Sequence, residues 1–299
     1  MAAQLPPVNK DQKMKKLIER LLTFFIGIPA VVVVVLFLPF RQHLPLNIVV
    51  IIFSAIGAFE FSSMLKKKQL YITKIESLFL GALAPAALTL SISFNIPQWI
   101  VPLLIMTGIG WTLLSRVFSS LEKMETITNR LAAGFSVMIY PGFFMYWLVK
   151  MTSWENSGVI ILIFLMIVLG CDASAWLAGS LFGTNNRGII AASPNKSIAG
   201  FIGGITGSII VAGGAALIIP GVFVTHAELS AVFSAILLGI CTGIAASLGD
   251  LAESAIKRSC DTKDSGKLMF GRGGVLDSID SIAFSAPVFF LLFSVFFIN

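Results

Sequence analysis

The chain has 299 residues, of which 57% are hydrophobic and only 12% are charged, whereas an ordinary globular domain has about 25% charged residues. Together with a mean hydropathy of +0.93, this composition leaves too little polar surface for a soluble fold of this length. The net charge is +6. The basic residues lie in short loops between apolar runs, which argues against a nucleic-acid-binding domain. The three cysteines have no metal-ligand spacing and indicate no disulfide framework.

Apolar runs long enough to cross a membrane, roughly 20 residues each, recur along the whole chain. They predict an all-α integral membrane protein with nine transmembrane helices. The predicted spans cover residues 21–40, 44–65, 75–94, 97–115, 131–149, 157–182, 199–224, 229–250 and 276–298.

The basic residues predict how these spans are oriented. Of the 21 Lys and Arg residues, all but Arg41 and Lys150 fall in loops on one side of the arrangement. Because loops rich in Lys and Arg face the cytoplasm, we expect a cytoplasmic N-terminus and a C-terminus outside. If the protein is bacterial, it would lie in the inner membrane.

The first five spans carry little chemistry, so residues 1–155 are predicted to form a structural, lipid-facing region. Glu60 is the exception, near the cytoplasmic end of the second span. We interpret it as a carboxylate that meets Lys66 or the membrane interface. Residues 156–299, with four spans, are predicted to form the catalytic region.

Carboxylates lie in or beside the apolar helices of this second region, where they are energetically costly and usually functional. Asp250, Glu253 and Lys257 fall on one face of a helix that continues out of the eighth span. Asp277 and Asp280 begin the ninth span, and a short loop would let the two acidic pairs meet. Oxygen-only ligands suit a hard cation such as Mg²⁺. The candidate metal ligands are therefore Asp250, Glu253, Asp277 and Asp280.

Two cytoplasmic loops, 183–198 and 259–276, combine basic residues with serines and glycines. Glycines let backbone N–H groups approach an anion, while Lys and Arg supply charge. Ser197 and the first N–H groups of the seventh span are predicted to form an anion site at a helix N-terminus. Carboxylates, basic side chains and glycines in the same loops indicate a membrane enzyme that handles a phosphorylated substrate with a divalent cation. The candidate substrate-binding residues of the loops are Ser193, Lys196, Ser197, Arg272, Gly273 and Gly274.

The stretch from Ser254 to Asp280 resembles the signature of the phosphatidate cytidylyltransferases, also called CDP-diacylglycerol synthases. It carries Lys257-Arg258, Lys263-Asp264, Gly273-Gly274 and Asp277-Ser278-Ile279-Asp280. Shorter similar stretches are Gly170-Cys171-Asp172, Ser193-Pro194-Asn195-Lys196-Ser197 and Ser247-Leu248-Gly249-Asp250. The chain departs from the family pattern at Phe270-Gly271-Arg272, where the family usually has Pro-Gly-His or a similar turn, and at Ser278, where it usually has Arg. We expect Arg272 to supply the charge that is missing at position 278.

The resemblance implies the reaction of CTP with phosphatidic acid to give CDP-diacylglycerol and pyrophosphate, a step of phospholipid biosynthesis, at the cytoplasmic side of the membrane. It implies Mg²⁺, with K⁺ as a candidate second cation, and a homodimer. CTP, phosphatidic acid and membrane lipids are the expected partners. The residues implied in catalysis are Asp250, Lys257, Arg258, Lys263, Asp264 and Asp277, and Asp172 is added to the substrate-binding set.

Two other functions fit parts of this pattern. A CTP-dependent polyprenol or phytol-type lipid kinase would transfer the γ-phosphate and release CDP. A cation-coupled transporter would use intramembrane carboxylates as a relay, but it predicts carboxylates spread through the membrane depth and broken helices at its middle. The clustering of the carboxylates beside anion-binding loops favours an enzyme.

Overall fold

The computed structural model describes residues 23–298 except 116, 118–119, 121–123, 226–228 and 270–272. Within these ranges the chain is helical, and β-structure is limited to two isolated bridges. The α-helices are α1 (Ile28–Phe37), α2 (Phe40–Leu65), α3 (Lys74–Phe94), α4 (Ile100–Leu114), α5 (Ile127–Val137), α6 (Phe144–Met151), α7 (Ser157–Phe182), α8 (Ile198–Ile218), α9 (Ala231–Ser259) and α10 (Leu276–Phe297).

Seven helical segments of the described chain are long and apolar enough to cross a membrane, which makes this a multi-pass integral membrane protein and confirms seven of the predicted spans. The segments are Phe40–Lys68, Lys74–Phe94, Ile127–Met151, Ser157–Phe182, Ile198–Ile218, Ala231–Ser259 and Leu276–Phe297. The first and fourth predicted spans correspond to shorter apolar helices, Phe25–Phe37 and Ile100–Leu114. The predicted count of nine is therefore not confirmed by helix length, and residues 21–22 of the first span lie outside the described residues.

Two helices differ from the predicted spans in ways that matter for function. Helix α9 runs on to Ser259, beyond the predicted end at residue 250, and this confirms the prediction of a helix that leaves the span. The fifth span is interrupted between α5 and α6 by a π-helical turn, Met138–Phe143. Pro141 lies in that turn, and proline lacks the N–H group that a regular helix needs at such a position.

Glycines bring α7, α8 and α9 together at short distances. A Cβ atom at Gly203 of α8 would lie 3.1 Å from the Ser174 carbonyl oxygen of α7. A Cβ atom at Gly239 of α9 would lie 2.7 Å from the Ser208 carbonyl oxygen of α8. Small residues allow such close backbone approach in membrane helices. The glycines of α8 and α9 therefore serve helix packing.

Ion pairs connect the loops that the charge pattern assigns to the cytoplasm. Lys68, after α2, is 2.8 Å from Asp261, after α9. The Lys68 ammonium holds the pKa of the Asp261 carboxyl below its usual range. Arg130 of α5 pairs with Glu76 at the start of α3. The ends of α2, α3, α5 and α9 that carry these residues therefore lie at the same end of the molecule.

Candidate active site

Helices α9 and α10 come very close beside their acidic residues. A Cβ atom at Gly249 would lie 2.6 Å from Phe284 Cβ and 2.8 Å from the Asp280 carbonyl oxygen. Real Cβ atoms do not approach so closely, so this position requires glycine. Asp250 is the next residue of α9 after Gly249. The close contact at Gly249 therefore places the acidic stretches of α9 and α10 side by side.

Lys257 joins the carboxylates of α9 and α10. Its Nζ atom donates to Asp277 Oδ1 at 2.6 Å and forms an ion pair with Glu253, one helical turn earlier. Glu253 is 0% exposed, and a carboxylate buried so completely needs a counter-charge. The prediction that the two acidic pairs meet is thus confirmed for Glu253 and Asp277, with Lys257 between them.

The second oxygen of Asp277 organises the loop between α9 and α10. Asp277 Oδ2 accepts hydrogen bonds from the Gly274 N–H at 2.7 Å, the Ser265 N–H at 2.9 Å and the Ser265 hydroxyl at 3.0 Å. Gly273 has a φ of 102°, a conformation that glycine adopts readily. The Gly274 N–H that was predicted to face an external anion therefore faces the carboxylate of this chain.

Glu60 of α2 is a site residue that the sequence interpretation missed. It is 3% exposed, and its Oε2 atom accepts hydrogen bonds from the Leu276 N–H at 2.9 Å and the Ser265 hydroxyl at 3.2 Å. Its partners are thus in the α9–α10 loop, and the assignment to Lys66 or the interface was wrong. The sequence did contain an indication of this role, because Glu60 is a carboxylate in an apolar helix and such residues are usually functional.

The loop between α7 and α8 contributes Lys196, whose Nζ atom lies 2.7 Å from Asp250 Oδ2. These side chains are 32% and 38% exposed, so this pair, unlike that of Lys257 and Glu253, is accessible to solvent. The Lys196 N–H donates to the Ser193 carbonyl oxygen at 3.1 Å, which folds the loop into a turn. The α7–α8 loop therefore reaches the acidic end of α9.

The start of α8 differs from the predicted anion site. Ser197 is the N-cap residue, as expected, but its hydroxyl accepts the Gly200 N–H at 3.0 Å. The Ile198 and Ala199 N–H groups donate to Asn186, at 3.2 Å and 3.4 Å. The first N–H groups of the helix are thus satisfied within the chain, so a phosphate would have to be bound by side chains of this loop such as Lys196.

Several other predicted residues lie around this centre. Arg258, in the last turn of α9, is exposed, as are Lys263 and Asp264 after the helix end. Asp172 is exposed on α7, and Ser193 is half-buried. Arg272 lies outside the described residues, so its predicted contact with phosphate stays a prediction.

Asp280 and Tyr140 are also buried among the helices. Asp280 is buried, and its Oδ1 atom accepts the Ser281 N–H at 2.6 Å. Tyr140, in the π-helical turn, is buried with a hydroxyl that has no hydrogen-bond partner within the described ranges. Sequence reasoning did not identify Tyr140, although π-helical turns are frequent at functional sites.

The donor atoms of this centre fit a hard divalent cation in their chemistry, because they are carboxylate oxygens. Glu253 Oε1 is buried without a hydrogen-bond partner in the described part of the chain. Within that part, however, no three acidic, His or Cys side chains are grouped closely enough to hold an ion. Lys196 and Lys257 instead neutralise Asp250 and Asp277, and binding of a cation would require these ammonium groups to move aside.

These observations define an enzyme site among the membrane helices, in which Lys196 of the α7–α8 loop and Lys257 of α9 meet carboxylates on α9 and α10. The sequence model of the cytidylyltransferase family matches residues 18–296. The chain belongs to this family, and it is a nucleotidyltransferase.

Relatives named phosphatidate cytidylyltransferase agree with this assignment. The chain is 28% identical over 283 residues to the phosphatidate cytidylyltransferase of Bacillus subtilis, an alignment that covers 93% of this chain and 98% of the relative. It is 29% identical over 196 residues to the phosphatidate cytidylyltransferase of Staphylococcus saprophyticus, with coverage of 65% and 71%. It is also 37% identical over 146 residues to the uncharacterized protein YnbB of Escherichia coli, with coverage of 48% and 46%.

Proposed function

We propose that the protein is a phosphatidate cytidylyltransferase, which converts CTP and phosphatidic acid into CDP-diacylglycerol and pyrophosphate. The observation that carries this proposal is the convergence of Lys196 and Lys257 on Asp250 and Asp277. The α7–α8 loop and the last turns of α9 thereby bring positive charge to carboxylates at one end of the helices, as a phosphate-handling site requires. The similarity to the Bacillus subtilis enzyme over nearly the whole chain supports the choice of substrates.

In the proposed reaction, an oxygen of the lipid phosphate attacks the α-phosphorus of CTP. A bond forms between these atoms as the bond from the α-phosphorus to the oxygen that bridges it to the β-phosphate breaks, and pyrophosphate leaves with that electron pair. The second pKa of a phosphate monoester is about 6, so the attacking oxygen is already charged near neutral pH. The protein then needs no side chain to remove a proton.

The side chains of the site act by binding and orientation. Lys196 is placed to bind phosphates of CTP, and Lys257 to offset charge at the reacting phosphate groups. Arg258 and Lys263, at the exposed rim, would contact the nucleotide or the lipid headgroup. When phosphates bind the two lysines in this way, the carboxylates of Asp250 and Asp277 become available.

Asp250 and Asp277, with Glu253 and Asp280 beside them, would hold Mg²⁺, and K⁺ is a candidate second cation. A divalent cation supplies positive charge against the phosphate groups and the leaving pyrophosphate. Because the donor atoms are all oxygens, Mg²⁺ suits them better than Zn²⁺.

We further propose that the site faces the cytoplasm, with nine spans, a cytoplasmic N-terminus and a C-terminus outside. The Lys and Arg asymmetry supports this orientation, as do the ion pairs that join the basic loops at one end of the molecule. The resemblance to the family further suggests a homodimer. The cytoplasmic interface gives access both to a lipid headgroup and to a soluble nucleotide.

The proposal is tested by incubating the purified protein with CTP, Mg²⁺ and phosphatidic acid and identifying the products by mass spectrometry. We expect CDP-diacylglycerol and pyrophosphate in equal amounts. Release of CDP with a phosphorylated lipid would instead identify a lipid kinase, and no consumption of CTP with any phosphatidic acid tested would contradict the proposal.

A further inference from the structure

Glu60 belongs to the N-terminal half of the chain, yet its side chain accepts hydrogen bonds from the loop that leads to Asp277. Glu60 Oε2 lies 3.2 Å from the Ser265 hydroxyl, which in turn lies 3.0 Å from Asp277 Oδ2. A hydroxyl has one hydrogen and can donate it fully to only one of the two carboxylates. Ser265 therefore couples the position of Asp277 to that of Glu60.

Glu60 also satisfies the start of α10. Leu276 is the first residue of this helix, and its N–H is one of the groups that a helix cannot satisfy internally. Val275, at the N-cap position, makes no side-chain hydrogen bond, whereas Glu60 Oε2 accepts the Leu276 N–H at 2.9 Å. A carboxylate from another helix thus serves as the N-cap acceptor, at the end where the helix dipole favours negative charge.

The loop is shaped to receive this carboxylate. A Cβ atom at Gly266 would collide with Glu60 Oε1, and a Cβ atom at Gly274 would collide with Glu60 Oε2 and the Ser265 hydroxyl. Alanine at Gly266 would therefore force the Glu60 side chain to move, and alanine at Gly274 would in addition lie 2.6 Å from the Gly266 backbone nitrogen. Replacement of either glycine by alanine should displace the carboxylate or the loop.

We propose that Glu60 is a positioning residue for Asp277: it fixes the first turn of α10 and, through Ser265, the orientation of the Asp277 carboxylate. The catalytic part of this inference rests on the proposed function, since it requires Asp277 to act at the phosphate groups. The structural part, that Glu60 holds the loop, is independent of the reaction.

The structural part is tested by hydrogen–deuterium exchange of the metal-free protein in detergent. We compare wild type, Glu60→Ala, Glu60→Gln and a control, Ser62→Ala, which removes a buried hydroxyl of the same helix that bonds to Phe59 within α2. Glu60→Ala removes a helix-cap acceptor and a buried hydrogen bond. We therefore expect amide exchange in the segment 263–278 of this variant to be about tenfold faster than in wild type. Glu60→Gln, which keeps one acceptor oxygen, should lie between Glu60→Ala and wild type. The control should match wild type in this segment.

The catalytic part is tested by kinetics of the same variants. We expect Glu60→Ala to lower kcat about tenfold or more and to raise the Mg²⁺ concentration for half-maximal activity, with a smaller change in the KM for CTP. A general loss of folded protein would reduce kcat without moving the Mg²⁺ dependence. Partial recovery in Glu60→Gln would support positioning by the acceptor oxygen.

A double-variant comparison tests the shared space directly. Gly266→Ala should accelerate exchange of the segment 263–278 in the wild-type background and have much less effect in Glu60→Ala, because the colliding carboxylate is then absent. If Glu60→Ala does not fold, the comparison of Glu60→Gln with the Ser62→Ala control decides whether the carboxylate holds the loop, because Gln fills the same space as Glu and cannot serve in the double variant.

The inference would be overturned if the folded Glu60 variants had the same amide exchange and the same Mg²⁺ dependence of activity as the Ser62→Ala control. A wild-type protein with no cytidylyltransferase activity would instead contradict the proposed function, while the exchange data would still decide whether Glu60 holds the loop.

Discussion

The Lys257 ammonium lies 2.6 Å from Asp277 Oδ1 and links the last two helices of the protein at their acidic ends. The same ammonium pairs with Glu253, which is fully buried. One cation thus compensates two carboxylates in a site where water is largely excluded. Removal of that charge should affect both folding and catalysis.

Lys257→Met keeps the length of the side chain but removes its charge. Loss of one partner of a buried ion pair costs about 3–5 kcal/mol, so we expect a clearly lower thermal unfolding temperature in detergent and a kcat reduced at least about 100-fold. Glu253→Gln in the same chain should restore part of the stability, because the uncompensated charge is then removed, but not the activity. If Lys257→Met had the same unfolding temperature and kcat as wild type, the ion pairs of Lys257 with Glu253 and Asp277 would be dispensable.

Asp250→Asn and Asp277→Asn should both abolish turnover, but they should differ in stability. Asp250 pairs with Lys196 at a half-exposed position, where an ion pair contributes only about 0–1 kcal/mol. Asp277 accepts three hydrogen bonds from the α9–α10 loop, and we expect its replacement to cost about 1–3 kcal/mol. Thermal unfolding and activity over a range of Mg²⁺ concentrations measure both effects. Near-normal activity of either purified variant would refute its assignment.

The sequence predicted the helical segments well because roughly 20 apolar residues in succession leave few alternatives to a spanning helix. It also predicted that the carboxylates of α9 and α10 would meet, since they lie on either side of one short loop. It did not predict the contacts of Glu60, because the partners Ser265 and Leu276 are distant in the chain and only the packing of α2 brings them together.

Other differences arise from local hydrogen bonds that a residue pattern does not specify. Asn186 and Ser197 satisfy the first N–H groups of α8, so the expected anion site at this helix start is closed by the chain itself. The Gly274 N–H likewise serves Asp277. Basic residues and glycines indicated the region of the site correctly, but they did not show which groups remain available to a ligand.

Lys196→Ala should weaken the use of CTP more than Lys67→Ala does. Lys196 reaches Asp250, whereas Lys67 is an exposed residue of another basic loop at the same end of the molecule. If Lys196 binds phosphates equally in the ground and transition states, its replacement raises the KM for CTP; if it stabilises the leaving pyrophosphate, kcat falls. Equal and small effects of the two variants on CTP kinetics would show that Lys196 contributes only to topology.

The orientation in the membrane is tested with single cysteines. Cys171, Cys241 and Cys260 are replaced, and Lys267→Cys is labelled in intact cells with a membrane-impermeant reagent. We expect no labelling at position 267 until the cells are permeabilised, because the α9–α10 loop is proposed to be cytoplasmic. Asn299→Cys, at the end predicted to lie outside, serves as the matched control and should react in intact cells. Labelling of position 267 from outside would contradict the orientation.

The most direct measurement of the proposed reaction follows each phosphate of CTP separately. Purified protein is supplied with phosphatidic acid, Mg²⁺ and CTP labelled with ³²P at either the α or the γ position, and the lipid fraction is counted. Transfer of the cytidylyl group predicts that the lipid acquires the α label and that the γ label stays in soluble pyrophosphate. The γ label in the lipid, with the α label left in soluble CDP, would contradict the proposed function.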